Sequence, residues 1–216
     1  MSVVPGTYGG NRPDWPGRLF IVEGIDGSGK STQAGLLAEA LGDDALLIRE
    51  PGGTGAAERI RELLADPGVE LDPLAELLLF LAARADLTAR VIRPALESGR
   101  DIVSDRFADS SVAYQGAARG LGVGETISLS DAATEGLWPD LTILLRLDPE
   151  TGLSRTDGED RIESEGLELQ RAVATAYEEI AKIAADRVVV VDASGSVEEV
   201  HERVLEAART HASDIG

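Results

Sequence analysis

Short apolar runs alternate along the chain with segments whose apolar residues recur at helical spacing. The run from Arg18 to Glu23 is mostly apolar and stops at Gly24, which predicts a buried first strand. From Lys30 to Leu41 the apolar residues recur at helical spacing, and Gly42 suits a helix stop. The same reasoning predicts four further strands, at 45–49, 101–105, 141–147 and 187–192.

Helices are predicted between these strands. The longest runs from Leu74 to Ser98, with Asp72 as its N-cap, Pro73 in its first turn and Pro94 at a bend or break. The others are predicted at 56–65, 107–119, 125–136, 164–185 and 197–212. Strands that alternate with helices predict an α/β fold, in which a five-stranded parallel sheet carries helices on both faces. Ligands of such a sheet lie beyond the carboxyl ends of its strands.

The pattern divides the chain into a leader, one domain and a lid. Residues 1–17 are rich in Gly and Pro and lack the apolar region of a secretory signal, which predicts a flexible leader. Residues 18–216 form one predicted domain. The polar segment from Thr156 to Asp160 separates two helices, so a short mobile lid is predicted at about 154–163.

Composition narrows the classes of partner. With 39 Asp plus Glu against 20 Lys plus Arg, the chain has a formal net charge of −19, which argues against nucleic acids and anionic membranes as partners. A phosphate-bearing ligand would therefore need a local cluster of cations. The absence of Cys excludes thiol chemistry, and no apolar run reaches membrane-spanning length. A cytoplasmic location is the expectation.

One motif points to nucleotide chemistry. The segment from Gly24 to Ser31, GIDGSGKS, fits the phosphate-loop pattern G-x-x-x-x-G-K-[ST] between a predicted strand and a predicted helix. Its backbone N–H groups would surround phosphate oxygens, Lys30 would reach the terminal phosphates and Ser31 would ligate Mg²⁺. The residues predicted to bind ATP are Gly24, Ile25, Asp26, Gly27, Ser28, Gly29, Lys30, Ser31 and Thr32.

The motif does not say what is done with the triphosphate. A regulatory GTPase needs a later guanine-reading N-K-x-D motif, which this chain lacks. A single short domain with a lid favours a phosphotransferase that acts on small molecules.

Four further segments could form an acceptor site, and each also has a plain structural interpretation. The block from Arg49 to Thr54 could be a simple turn. Asp105 could hold Mg²⁺ and Arg106 a phosphate, or they could be a helix cap and a surface cation. Phe80 and Arg84 share a helix face and could bind a base, although core packing is the plainer interpretation of Phe80. The segment 110–115 could read a base edge or form an ordinary amphipathic helix.

Together these segments are recognisable. The blocks 24–32, 49–54, 80–84, 105–106 and 110–116, in this order, resemble the thymidylate kinase family of P-loop nucleoside monophosphate kinases. The resemblance covers about residues 18–212. It implies a three-layer P-loop NTPase fold, transfer of phosphate from ATP to dTMP with Mg²⁺, and a homodimer packed through helices that include the one at 74–98.

The resemblance also implies roles for individual residues. Asp26 would contact the 3′-hydroxyl of dTMP, Phe80 would stack on thymine, and Arg84 would bond a thymine carbonyl. Tyr114 would disfavour ribonucleotides, and Ala193 to Gly195 would flank adenine. The predicted dTMP-binding residues are Asp26, Glu50, Arg61, Phe80, Arg84, Arg106, Ser111, Tyr114 and Gln115, with Ser31 and Asp105 at the metal.

The catalytic arginine is predicted to come from the lid. Some members of the family carry Arg inside the phosphate loop, whereas this chain has Gly27 there and resembles the bacterial type that supplies lid arginines. Arg155 is the preferred residue and Arg161 the second candidate. The predicted catalytic residues are Lys30, Asp26, Arg106, Arg155 and Arg161. Another deoxynucleotide or nucleoside kinase of this fold, or a non-catalytic nucleotide-binding module, remains an alternative.

Overall fold

The computed structural model describes residues 14–156 and 166–214, with side chains through residue 211. In this part of the chain, five parallel strands form one sheet in the order β2-β3-β1-β4-β5. The strands are β1 (Leu19–Gly24), β2 (Leu46–Arg49), β3 (Ile102–Asp105), β4 (Leu141–Arg146) and β5 (Val188–Asp192). In the register, Leu19 pairs with Ile102 of β3, and Phe20 pairs with Leu141 of β4.

The central strands are buried because helices cover both faces of the sheet. Every residue of β1 is buried, as its unbroken apolar run predicts. The predicted strand bounds agree with the observed ones to within one residue at each end. The predicted α/β fold with a five-stranded parallel sheet is therefore confirmed.

Nine α-helices lie in the described ranges. They are α1 (Lys30–Leu41), α2 (Gly55–Ala65), α3 (Pro73–Leu87), α4 (Arg93–Glu97), α5 (Ala108–Ser111), α6 (Val123–Thr134), α7 (Pro149–Leu153), α8 (Leu167–Ile183) and α9 (Val197–Asp214). The sequence pattern predicted no bounds for α7. Asp72 accepts a hydrogen bond from the backbone N–H of Leu74 at 2.9 Å, so the predicted N-cap of α3 is confirmed.

The predicted long helix is interrupted by a π-helical segment at Thr88–Ile92. Here the N–H of Arg93 donates to the carbonyl of Thr88, five residues earlier. The interruption lies directly before Pro94, which has no N–H for a regular helix and whose ring crowds the preceding turn. The predicted break is thus a π-turn between α3 and α4. A second π-helical segment, Val112–Ala118, extends α5.

Part of the predicted leader contacts the fold. The N–H of Gly17 donates to the carbonyl of Leu96 at 3.0 Å, and the guanidinium of Arg93 lies 5.6 Å from the centroid of the Trp15 ring. Trp15 and Gly17, in the last part of the predicted leader, thus contact the region around α4. Residues 1–13 lie outside the described range.

The lid prediction falls mostly on 157–165, which lie outside the described residues. Residues 154–156 are described, and the N–H of Arg155 donates to the carbonyl of Gly152 at the end of α7. None of the helices in the described part is both long and apolar enough to cross a membrane.

A buried ion pair joins α5 to the start of the last strand. Arg187 donates to both carboxylate oxygens of Asp109, at 2.8 and 2.9 Å, and Thr142 on β4 donates to the same carboxylate at 3.0 Å. The Arg187 guanidinium also lies 5.1 Å from the centroid of the Trp138 ring. Because Asp109 is 1% exposed, its charge depends on Arg187 for compensation.

We expect Arg187→Met to lower the free energy of unfolding by about 3–5 kcal/mol, because it leaves the buried Asp109 carboxylate uncompensated. The double variant Arg187→Met/Asp109→Leu should recover much of this loss. Guanidinium chloride denaturation of both variants measures the effect. A single variant as stable as the double would contradict it.

Candidate active site

The phosphate loop lies where β1 ends and α1 begins. Gly24, Gly27 and Gly29 have φ angles of 146°, 72° and 92°, which only glycine adopts readily. Lys30 is 8% exposed, and its ammonium group donates to the carbonyl of Ile25 at 2.7 Å. Burial lowers the pKa of Lys30 to about 8, and Arg106 adds to this effect. A phosphate anion beside the ammonium group would favour its charged form.

Gly27 has no room for a side chain. A Cβ atom there would lie 2.0 Å from the carbonyl oxygen of Gly152 in α7. The backbones of the phosphate loop and α7 are therefore in close contact. An arginine at this loop position, as some members of the resembled family have, is incompatible with this packing.

Ser31 and Asp105 meet at the carboxyl edge of the sheet. The Ser31 hydroxyl donates to Asp105 Oδ2 at 2.6 Å. The other oxygen, Asp105 Oδ1, is buried and has no hydrogen-bond partner in the described part of the chain. These oxygen donors fit Mg²⁺, which is held in proteins by one or two carboxylates together with substrate phosphates. The described residues contain no cluster of three or more His, Cys, Asp or Glu that would form a metal cage of its own.

The carboxylate of Asp26 lies at the centre of a buried network. It forms a short ion pair with Arg106, accepts from Tyr114 at 3.1 Å and from Gln170 at 2.6 Å, and lies 3.7 Å from Lys30. Gln170 also accepts from the Asp26 backbone N–H at 3.1 Å. Burial alone would raise the pKa of Asp26, but the charges of Arg106 and Lys30 outweigh it and lower the pKa.

Arg106 has a strained backbone at the end of β3. Its φ angle is 93°, which is rare for a residue with a side chain. Its N–H donates to the carbonyl of Val22 on β1 at 3.2 Å, and its carbonyl accepts from the Ser104 hydroxyl on β3 at 2.9 Å, so both strands hold the strained turn. Such strain is common at functional sites. The turn brings the guanidinium to the cavity wall, 5.1 Å from the centroid of the Tyr114 ring.

A fully buried carboxylate, Glu23, supports this turn from below. It accepts from the backbone N–H groups of Phe107 and Ser110 at 2.8 and 3.1 Å. The hydroxyls of Ser110 and Tyr177 donate to its other oxygen, each at 2.7 Å. Burial raises the pKa of Glu23, against the opposing charge of Arg106.

Arg84 is enclosed by protein partners. It is 2% exposed, and it donates to Glu50 Oε2 at 2.7 Å, to the Ser111 hydroxyl at 3.0 Å and to the carbonyl of Phe107 at 3.0 Å. Unlike its predicted neighbours, Arg84 is not among the residues that line the cavity. Its contact with a thymine carbonyl stays a prediction, which the resemblance implies.

Most of the other predicted residues line one cavity of about 830 Å³. Its wall includes residues predicted to bind ATP, residues predicted to bind dTMP and one predicted lid arginine: Asp26, Gly27, Gly29, Lys30, Ser31, Thr32, Glu50, Arg61, Phe80, Asp105, Arg106, Ser111, Tyr114, Gln115 and Arg155. Arg49 also lines it, so the described wall carries five cations and three carboxylates. This local excess of positive charge contrasts with the net charge of −19.

Four described residues of the predicted site do not line this cavity: Gly24, Ile25, Ser28 and Arg84. Arg161 lies outside the described residues. Arg61 lines the cavity, but its guanidinium donates to the carbonyl of Pro51 at 3.1 Å. The segment 193–195 follows β5 and does not line the cavity; the guanidinium of Arg203 donates to the carbonyls of Asp192 and Ser194, at 2.7 and 2.8 Å.

Sequence reasoning missed Glu23, Gln170 and Glu76. Glu23 was detectable in principle, because a carboxylate inside an apolar strand that precedes a phosphate loop needs a polar partner. Gln170 and Glu76 carry no local signal, since each lies on an ordinary helix and meets its partner across 39 to 144 residues of chain.

The strand order, the phosphate loop and the acceptor cavity together define a P-loop phosphotransferase of the α/β class. The family model described as Thymidylate kinase matches residues 22–204. A thymidylate kinase of Dinoroseobacter shibae is 47% identical over 198 residues, which cover 88% of this chain and 95% of the relative. That of Caldanaerobacter subterraneus is 40% identical over 200 residues, covering 90% and 96%.

A solved structure is also similar. The crystal structure of thymidylate kinase from Ehrlichia chaffeensis matches with a TM-score of 0.73 at 32% identity, and covers 89% of this chain and 98% of that one. The chain belongs to the thymidylate kinase family. The resemblance stated from the motifs is therefore confirmed.

The buried carboxyl of Glu50 should give this site a pH signature. Burial raises its pKa to about 7 from the ordinary value of 4.5, although Arg84 acts to lower it. Between these values the folded protein holds a proton that the unfolded chain has released. The stability that this carboxyl contributes is therefore lost as pH rises through about 7.

We expect the free energy of unfolding of the wild type, relative to Glu50→Gln, to fall as pH rises from about 4.5 to 7. Urea denaturation of both proteins across this range measures it. A difference that is flat, or that increases with pH, would contradict the assignment.

Proposed function

We propose that this chain transfers the γ-phosphoryl group of ATP to dTMP, with Mg²⁺, to give ADP and dTDP. One observation carries the proposal: the phosphate loop and the predicted thymine-binding residues line the same cavity, which is about 830 Å³ in volume. Membership of the thymidylate kinase family supports the same acceptor.

On the donor side, the backbone N–H groups of 24–32 and the ammonium group of Lys30 bind the phosphates of ATP. Ser31 and Asp105 hold Mg²⁺, directly or through water. When bound, this ion neutralises charge that develops on the phosphate oxygens. We assign adenine to the segment 193–195 on the resemblance alone.

On the acceptor side, Phe80 stacks on thymine, with Ser111, Gln115 and Arg84 at its polar edge. Arg61 and Arg106 bind the dTMP phosphate, and Glu50 lies near the sugar. Tyr114 donates to Asp26 beneath the predicted sugar position, which is consistent with a role in excluding a 2′-hydroxyl. The lowered pKa of Asp26 keeps it an acceptor for the 3′-hydroxyl.

The chemistry requires positioning more than acid–base catalysis. The attacking atom is a phosphate oxygen that is already ionised, so no strong general base is needed. Lys30 and Arg106 hold donor and acceptor phosphates close together. Arg155 supplies further positive charge from the start of the lid, with Arg161 as the second candidate. The lack of space at Gly27 supports a lid origin for this arginine.

The proposal extends to the whole chain. We assign residues 18–216 to the kinase domain with a lid at about 154–163, and residues 1–17 to a leader whose last residues contact α4. Nucleic acid and membrane are not expected partners of a chain with a net charge of −19, and we propose a cytoplasmic location.

A panel of nucleoside monophosphates tests the acceptor. We expect ATP and Mg²⁺ to support phosphorylation of dTMP with a higher kcat/KM than that of dUMP or dCMP. Turnover of dUMP or dCMP without dTMP would identify another kinase of this fold. ATP binding without turnover of any acceptor would identify a non-catalytic module.

We expect Arg106→Ala to lower kcat/KM for dTMP by about 100-fold or more, because it removes a charged hydrogen-bond donor at the transferring group. Titration calorimetry should find ATP binding retained. Arg100→Ala is the matched control, since Arg100 is exposed and donates to the carbonyl of Asp44. Normal turnover by Arg106→Ala would refute the phosphate assignment.

We also propose a homodimer, which the resemblance implies, and place its contact on α3 and the adjacent α2. These two helices pack together and expose Leu63, Leu74 and Leu78, which are 40%, 47% and 49% accessible. A dimer would bury these side chains.

We expect Leu78→Glu to convert a dimer to a monomer, because it introduces a charge into the buried contact. Sedimentation equilibrium measures the mass. Ile183→Glu, on a similarly exposed apolar residue at the end of α8, should remain dimeric. A monomeric wild type would refute the dimer.

A further inference from the structure

We infer that Glu76 is a positioning residue that fixes the side-chain amide of Gln115, and thereby makes the acceptor site select bases with an N–H donor at ring position 3 over cytosine. The inference rests on the proposed function and deepens it. Glu76 has no role in the sequence-based site. It lies one helical turn before Phe80 and two before Arg84, so the three residues share one face of α3.

Glu76 is a buried carboxylate held in place from two directions. It is 1% exposed. Its Oε1 accepts from the amide nitrogen of Gln115 at 2.7 Å and from Arg119 Nε at 2.6 Å, and its Oε2 accepts from Arg119 Nη2 at 3.1 Å. Arg119 thus compensates the charge and orients the carboxylate towards Gln115.

This contact permits only one orientation of the Gln115 amide. An ionised carboxylate accepts hydrogen bonds and donates none. If the amide turned over, its oxygen would face Glu76 Oε1, so that a buried hydrogen bond would be replaced by a contact between two acceptors. Leaving a buried acceptor unpaired is costly, and the amide nitrogen therefore stays towards Glu76.

The amide oxygen of Gln115 is left for the cavity. Gln115 lines the cavity wall together with Phe80 and Ser111. Its Oε1 accepts no hydrogen bond from the described residues, and this oxygen is not fully buried. It is therefore accessible to a ligand. The site thus presents a fixed acceptor at its base-binding end.

A fixed acceptor discriminates between pyrimidines. Thymine and uracil carry an N–H donor at ring position 3, whereas cytosine has a bare acceptor nitrogen there. A base that cannot satisfy a buried polar group is rejected, because the group is left unpaired. Discrimination against cytosine therefore depends on Gln115 not turning over, and that depends on Glu76.

Glu76→Gln tests this directly, because an amide at position 76 can pair with Gln115 in either orientation. We expect the ratio of kcat/KM for dTMP to that for dCMP to fall by about 10-fold, the equivalent of one weakened hydrogen bond. The ratio of kcat/KM for dTMP to that for dUMP should stay unchanged, because uracil has the same N–H donor. A merely loosened pocket would move both ratios.

Asp101→Asn is the matched control. Asp101 is also a carboxylate paired with an arginine, Arg18, at 2.8 Å, but it lies at the opposite edge of the sheet. It should leave both ratios unchanged. If Glu76→Gln is insoluble, Glu76→Gln/Arg119→Gln removes the charge together with its counterion and should lower the dCMP ratio in the same way.

The outcomes separate this inference from the proposed function. A wild type that does not phosphorylate dTMP refutes the proposed function. A wild type that does so, with a variant whose dTMP-to-dCMP ratio is unchanged, refutes the role of Glu76 alone. Equal changes in the dCMP and dUMP ratios would also refute it.

Discussion

The buried carboxylate of Asp26 is the contact on which the geometry of the site depends. It belongs to the phosphate loop, yet it is bonded to Arg106 at the end of β3, to Tyr114 in the second π-helical segment and to Gln170 in α8. A buried charge of this kind depends on its partners for compensation. The network therefore fixes the loop that binds the donor relative to the elements that bind the acceptor.

The same network reconciles an acidic chain with anionic ligands. The chain as a whole has a net charge of −19, whereas the described cavity wall carries more cations than carboxylates. Two carboxylates in and beneath the site, Glu23 and Glu50, are buried; burial raises the pKa of each, and a nearby arginine opposes the shift. They accept hydrogen bonds from Arg84 and from the backbone that follows Arg106, and so hold these groups in place.

Two π-helical segments interrupt or extend regular helices, and only one of them was predictable from the sequence. The segment 88–92 accommodates Pro94, and a break was predictable there because proline lacks an N–H group. The segment 112–118 was predicted as an ordinary helix, since no proline marks it. It carries Tyr114 and Gln115, which both line the cavity.

The sequence by itself determined the succession of strands and helices along the chain, the phosphate loop and the family, because periodicity and motif spacing are local properties of the chain. It also identified most of the residues that line the cavity. The tertiary structure decided which polar groups meet: Gln170 with Asp26, Glu76 with Gln115, and Arg84 with Glu50. These contacts join residues 34 to 144 positions apart, and no local pattern encodes such a pairing.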